Sequence, residues 1–191
     1  LTAVKEAAIS FIDSLDGVDK VGIVSFATDA TTPPDVSLSN AYAMAKQAVE
    51  KISIIRDGTT QYTNIGDAID RAFQNLSSPE FADLSERVIV LLTDGIATKP
   101  EKAGDTNFPL VYAEQKAVTA KESGALLYVI GLGDEVNAES LKKIASAPEQ
   151  YFPASSAVEL ENIYKEIAVK ICKNQPAVIE IIPRAIPSNF F

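Results

Sequence analysis

Val88-Ile-Val-Leu-Leu-Thr-Asp-Gly95 is the stretch on which the fold turns. Val88 to Leu92 are all apolar, and Val88, Ile89 and Val90 are β-branched, so no face of this segment is built for water. The run is too short for an ordinary helix. It reads as a strand buried on both faces, which is the pattern of a central strand in a parallel sheet. It ends abruptly at Thr93-Asp94-Gly95, a hydroxyl and a carboxylate followed by a residue that lets the backbone turn beside them. Parallel strands cannot be joined by a tight hairpin. A chain with this strand must supply long crossovers, usually helices, on either side of it.

Those crossovers are visible in both directions. Upstream, Val21-Gly-Ile-Val-Ser-Phe26 reads as a buried strand, and downstream Leu126-Leu-Tyr-Val-Ile130 reads as another. Before the first, Val4, Ala7, Ala8, Phe11, Ile12 and Leu15 fall on one helical face that Gly17 closes. Pro33-Pro34 marks a turn, residues 35–38 form a short edge strand, and Ser39 caps a helix carrying Ala41, Ala45, Ala48, Val49 and Ile52. A polar loop from Arg56 to Tyr62 leads to Asn64 and Asp67, which have capping-box spacing ahead of the stripe Ile65, Ala68, Ile69, Ala72, Phe73 and Leu76.

Further helices follow at Leu110 to Ala120, closed by Gly124, and at 138–147, with a short extended piece at Tyr151-Phe152. Ser156 and Glu159 form a second capping box, opening a helix through Leu160, Ile163, Tyr164, Ile167, Ala168 and Ile171. Strands alternating with amphipathic helices predict a doubly wound α/β fold, with a mostly parallel central sheet and helices on both faces. After Cys172 the pattern changes. Lys173-Asn-Gln-Pro176 reads as a linker, Val178 to Ile182 as the start of a strand, and Pro183 and Pro187 bar any helix. This tail is either an exit toward a further domain or an extra strand on this one.

Composition narrows the function. A chain of 191 residues fits one domain and can bury a core without disulfide or metal staples. A net charge of −9 repels phosphate backbones and argues against nucleic acid as a partner. No His occurs, which removes imidazole bases, imidazole-activated nucleophiles and imidazole metal ligands together. The single Cys172 permits no internal disulfide and no thiolate cluster. No apolar run approaches the roughly 18 residues that span a bilayer, so no membrane insertion is expected here. Gly131-Leu-Gly133 follows a strand, but Val136 stands where a dinucleotide fingerprint needs its third glycine, and no P-loop sequence is present. Nothing resembles a nucleophile elbow, and an enzyme is not expected.

Ligands of open parallel sheets bind beyond the carboxyl ends of the strands. Asp94 stands at such an end, and Thr63 lies in a second loop just before a helix. Alone, either residue is explained as a turn or helix cap.

Four segments in order, Val21-Gly-Ile-Val-Ser-Phe26, Tyr62-Thr-Asn-Ile-Gly-Asp-Ala68, Leu91-Leu-Thr-Asp-Gly95 and Leu127-Tyr-Val-Ile-Gly-Leu-Gly133, resemble landmarks of the von Willebrand factor A domain, from about Leu1 to Cys172. The resemblance implies a metal-ion-dependent adhesion site made by three loops, D-x-S-x-S after strand 1, a Thr matching Thr63, and the Asp of a T-D-G matching Asp94. Such oxygens suit Mg²⁺, with Mn²⁺ or Ca²⁺ as substitutes, and a partner's carboxylate completes the coordination. On this reading strand 1 and its D-x-S-x-S loop are missing from the chain and belong upstream of Leu1, so metal binding is expected to be weak or absent. Asp13-Ser-Leu-Asp-Gly17 has similar residues but sits at a helix end. Cys172 either pairs with a cysteine near the missing strand or is an unpaired, partly buried thiol.

Residues 1–173 are then a von Willebrand factor A domain lacking its first strand, and 174–191 a linker or extra strand leading to a further domain. The vacant central slot needs an occupant, whether a separate peptide, another copy's strand, or this chain's own Val178 to Ile182. The resemblance to short bacterial members implies an extracellular or cell-surface adhesion module of a bacterial pilus, surface or secreted protein, binding a protein ligand. The alternative is a scaffold in an intracellular multiprotein complex.

Overall fold

The computed structural model describes residues 2–16, 18–53, 62–84, 86–134, 136–171 and 177–184. Gly17, most of the loop at 56–62, Cys172, the linker at 173–176 and Pro187 lie outside these described residues. The elements run α1 (Thr2–Asp13), β1 (Lys20–Phe26), β2 (Val36–Ser39), α2 (Tyr42–Lys51), α3 (Ile65–Leu76), β3 (Arg87–Thr93), α4 (Phe108–Glu122), β4 (Ala125–Leu132), α5 (Ala138–Ile144), β5 (Tyr151–Ala154), α6 (Ala157–Ile171) and β6 (Ala177–Pro183).

Six strands form one sheet in the order β2-β1-β6-β3-β4-β5. Only β2 is antiparallel, and it pairs with the outer side of β1. The fold is therefore the doubly wound α/β architecture expected from the alternation, with α1, α2 and α6 covering one face and α3, α4 and α5 the other. The expected strand near 88–92 extends by one residue at each end as β3, and all its residues after Arg87 are buried.

The slot between β1 and β3 is filled by the chain itself. β6 runs parallel to both, pairing Gly22↔Ile179 and Ile23↔Glu180 on one side, and Ile89↔Ile179 and Val90↔Glu180 on the other. Of the three candidate occupants, it is the chain's own segment that is seated. A separate complementing strand has no place there, because both flanking ladders are already used. Every residue of β6 is buried, with Val178 and Ile182 in the core beneath α1 and α6, and Ala177, Ile179 and Ile181 in the core beneath α3 and α4.

Glu180 breaks that apolar run. It points to the α6 side with no exposure, and its carboxyl accepts a hydrogen bond from the Tyr164 hydroxyl. Phe11 of α1 lies against the Tyr164 ring at 5.1 Å. Burial pushes the Glu180 carboxyl up to about 7, against a smaller downward pull from the Tyr164 bond. Burial, and then the neighbouring carboxyl, raise the Tyr164 hydroxyl well above its ordinary value.

Two helix starts differ from their sequence expectation. α2 begins at Tyr42 with Ala41 at its cap and no side-chain cap bond; Ser39 still belongs to the edge strand and instead accepts the Ala41 N–H at 3.3 Å. In α3 the Asn64 side-chain oxygen caps the Asp67 N–H at 3.1 Å, but the Asp67 carboxylate turns away to accept the Ala30 N–H at 2.7 Å. Only half of that capping box forms. α5 also stops at Ile144, followed by a single tight turn at Pro148–Gln150.

Candidate functional site at the carboxyl edge

Asp94 is the first residue beyond β3, and it is 4% exposed; Thr63, just ahead of α3, is 9% exposed. Their loops are joined by a pair of hydrogen bonds between Thr63 and Thr98. The Thr63 N–H donates to Thr98 Oγ1 at 2.8 Å, and the Thr98 N–H donates back to the Thr63 carbonyl at 2.9 Å. Gly95 allows this approach, since a Cβ there would stand 3.3 Å from Thr63 Oγ1. The Thr63 hydroxyl thus borders the residue after Asp94.

A third loop, following β1, is tied in by Asn64. Its N–H donates to the Ala27 carbonyl at 2.9 Å, and its side-chain amide donates to the Thr28 carbonyl at 2.9 Å. Asn64 therefore caps α3 and fixes one loop against another, a double role that sequence spacing does not reveal. Thr63 is not the helix cap, so the bland explanation of its presence does not hold. α3 sits close against α4, because a Cβ on Gly66 would meet the Tyr112 ring at 2.3 Å.

Beside this cluster the edge is mixed in character. Ile96 is 47% exposed. Lys99 pairs with Glu101 at 2.7 Å and lies 4.0 Å from the centre of the Tyr62 ring. The bond to Glu101 holds the Lys99 ammonium above its ordinary value. Lys102 lies over the Phe108 ring at 5.0 Å. These loop charges are largely occupied within the loop itself.

The donor set does not fit a complete metal site. Thr63 and Asp94 offer one hydroxyl and one carboxylate, so even with several of the six Mg²⁺ oxygens supplied by water the described residues provide only part of a site. Among the described residues no group of three or more Asp, Glu, Cys or His stands close enough together to hold an ion. One sequence expectation needs correcting here. The letters D-x-S-x-S do occur, at Asp35-Val-Ser-Leu-Ser39, so the motif is not missing from the chain as a string. It lies on the antiparallel edge strand β2, however, three strand spacings from β3, or about 14 Å at the usual separation. Asp35 Oδ2 is taken up by the Ser25 N–H at 2.6 Å and the Thr31 hydroxyl at 2.7 Å. The match is one of letters and not of place.

Asp13-Ser-Leu-Asp-Gly17 is a helix end, as its position suggests. Asp13 pairs with Lys46 at 2.6 Å, the Asp16 N–H is capped by Asp19 at 2.7 Å, and burial raises the Asp19 carboxyl. Arg184 was not singled out by the sequence, since nothing marks one arginine among prolines. In the β3–β6 register Leu91 faces Ile181, so Asp94 and Arg184, each three residues on, leave the sheet at one level.

The sheet is an open, mostly parallel α/β sheet with Asp94, Thr63 and the exposed Ile96 at or beside its carboxyl edge, the edge at which ligands of such sheets bind. The von Willebrand factor type A domain model matches residues 1–166, and the chain belongs to that family. It is 31% identical over 184 residues to inter-alpha-trypsin inhibitor heavy chain H4 of Bos taurus, covering 86% of this chain and 18% of that protein. It is 27% identical to human matrilin-1, covering 88% of this chain and 32% of matrilin-1. This chain thus spans a third or less of the length of these relatives. In structure it is similar to the vWF domain of the type V pili tip protein Mfa5 from Porphyromonas gingivalis, with a TM-score of 0.70 and 14% identity, covering 89% and 88% of the two chains.

Proposed function

We propose that this chain is a protein-binding adhesion module, not an enzyme, and that its partner docks on the carboxyl edge around Thr63, Asp94 and Ile96. The observation that supports this reading is the pair of hydrogen bonds between Thr63 and Thr98, which holds the Thr63 loop against the loop that follows Asp94. Thr63 and Asp94 are proposed as two donors of a divalent-cation site, Mg²⁺ by preference, that the described residues fill incompletely. Binding of a partner's acidic group through that ion is accordingly weak for this chain by itself.

Residues 1–173 are taken as the body of the module, with 174–191 contributing strand β6 to its sheet. Compact loops and the likeness to a pilus-tip domain support an extracellular, bacterial-surface setting. No described helix is long and apolar enough to cross a membrane.

The test is adhesion of the immobilised chain to an array of extracellular-matrix proteins. Asp94→Ala and Ile96→Asp should each remove the signal, whereas Val158→Asp, on the exposed face of α6, should leave it intact. Retention by both edge variants would place the docking surface elsewhere.

A further inference from the structure

A second site lies on the other side of the central strand. Between α2 and the carboxyl ends of β1 and β6 is a cleft of about 280 Å³. Its floor is apolar, with Val36 and Ile52 buried, and Met44 stands on its rim 61% exposed. Its charged groups are Arg184, Lys51 and Asp35. In a chain with net charge −9, a cleft with two cations and one carboxylate is a local reversal of sign.

None of the ion pairs among the described residues uses Arg184 or Lys51. The main chain at Arg184 is fixed to the end of β1, since its backbone N–H donates to the Phe26 carbonyl at 2.8 Å. Its Nε is out of reach of solvent and has no hydrogen-bond partner among the described residues. Asp35 shares the cleft but forms no ion pair with Arg184; its Oδ2 accepts from the Ser25 N–H and the Thr31 hydroxyl, which fixes the carboxylate against the end of β1.

We propose that this cleft is a carboxylate-binding site that works without a metal ion, with Arg184 and Lys51 as its cations. The planar guanidinium matches a carboxylate by two parallel N–H···O bonds, and Lys51 adds a mobile point charge at the end of α2. The volume falls at or below the low end for drug-sized ligands. It suits a single acidic side chain or a short dicarboxylate, whose methylenes would lie on Val36, Ile52 and Met44. The site is independent of Thr63 and Asp94, and stands whether or not those residues hold an ion.

Glutarate is the probe, titrated into the ¹⁵N-labelled full chain in EDTA at fixed ionic strength, with glutaramide as its neutral counterpart. Saturable shifts are expected at the amides of Ser25, Gln47 and Ile52 with glutarate only. Arg184→Gln should weaken binding roughly tenfold through loss of the bidentate pair. Lys51→Gln, at an exposed helix end where folding is not at stake, should weaken it roughly threefold. Asp94→Ala should leave it unchanged. Equal shifts with glutaramide, persistence of binding in Lys51→Gln at full strength, tighter binding of inorganic phosphate at the same amides, or no saturation at all would each overturn the proposal.

Discussion

β3 and β6 lie side by side in the middle of the sheet, both parallel and both buried, yet they are made differently. β3 is apolar from Val88 to Leu92 and ends in a hydroxyl and a carboxylate. β6 carries a carboxyl at its centre and ends in proline and arginine. The first strand is held by ladders to β4 and β6 with an apolar run between them, and keeps its hydroxyl and carboxylate for its tip. The second is held equally by two ladders but places an ionisable group where water cannot reach it. Burial of that group is tolerable only while it is protonated or well bonded, so the seat of β6 depends on conditions in a way that β3 does not.

The largest effect that would break this contrast is removal of β6. Deleting residues 177–184 leaves the inner edges of β1 and β3 facing each other without partners, and cooperative melting by circular dichroism should be lost, with aggregation in light scattering. A deletion variant that melts as sharply as the parent would show β6 to be an accessory strand.

Next is the pH dependence of β6. The Glu180 carboxyl is raised from its ordinary 4.5 to about 7 in the folded state. The folded protein therefore binds more protons than the unfolded chain between those values. The contribution of Glu180 to stability should be full below about pH 4.5, fall as pH rises, and level off above about pH 7. The loss is on the order of 3 kcal/mol, because each tenfold change in proton affinity is worth about 1.4 kcal/mol. Urea melts across this range should show the slope for the parent and lose this contribution in Glu180→Gln. An unchanged slope in that variant would assign the dependence to other groups.

A smaller effect belongs to the tip of β3. Asn64→Ala removes the cap on Asp67 N–H and the bond to the Thr28 carbonyl. A destabilisation of about 1–2 kcal/mol is expected from the lost cap. Hydrogen exchange should quicken at Thr63 and Thr98 and remain slow in β6. Uniform acceleration through the sheet would mean that Asn64 supports the core and not the site.

The contrast also explains what could be read from the sequence. β3 was legible because a short β-branched run ending in Thr-Asp-Gly has few other meanings. The helices announced themselves by their stripes, and the cap at Asn64 by its spacing from Asp67. β6 was ambiguous because Glu180 and the flanking prolines argue against a central strand, and only the pairing with β1 and β3 overrides them. Asp35-Val-Ser-Leu-Ser39 shows the opposite failure, in which letters suit a motif but the edge strand carries them away from the site. Arg184 and Lys51 are far apart in sequence and share a cleft only through the placement of α2 against the end of β6. No periodicity links them.

The most direct test of the carboxyl-edge site is a calorimetric titration of Mn²⁺ into the chain and its Asp94→Ala variant. With two side-chain oxygen groups available, the parent should bind the ion only weakly, with Kd on the order of 1 mM or higher, and the variant should show no binding at that site. Micromolar binding that survives Asp94→Ala would contradict the assignment of Thr63 and Asp94 as the ion's donors.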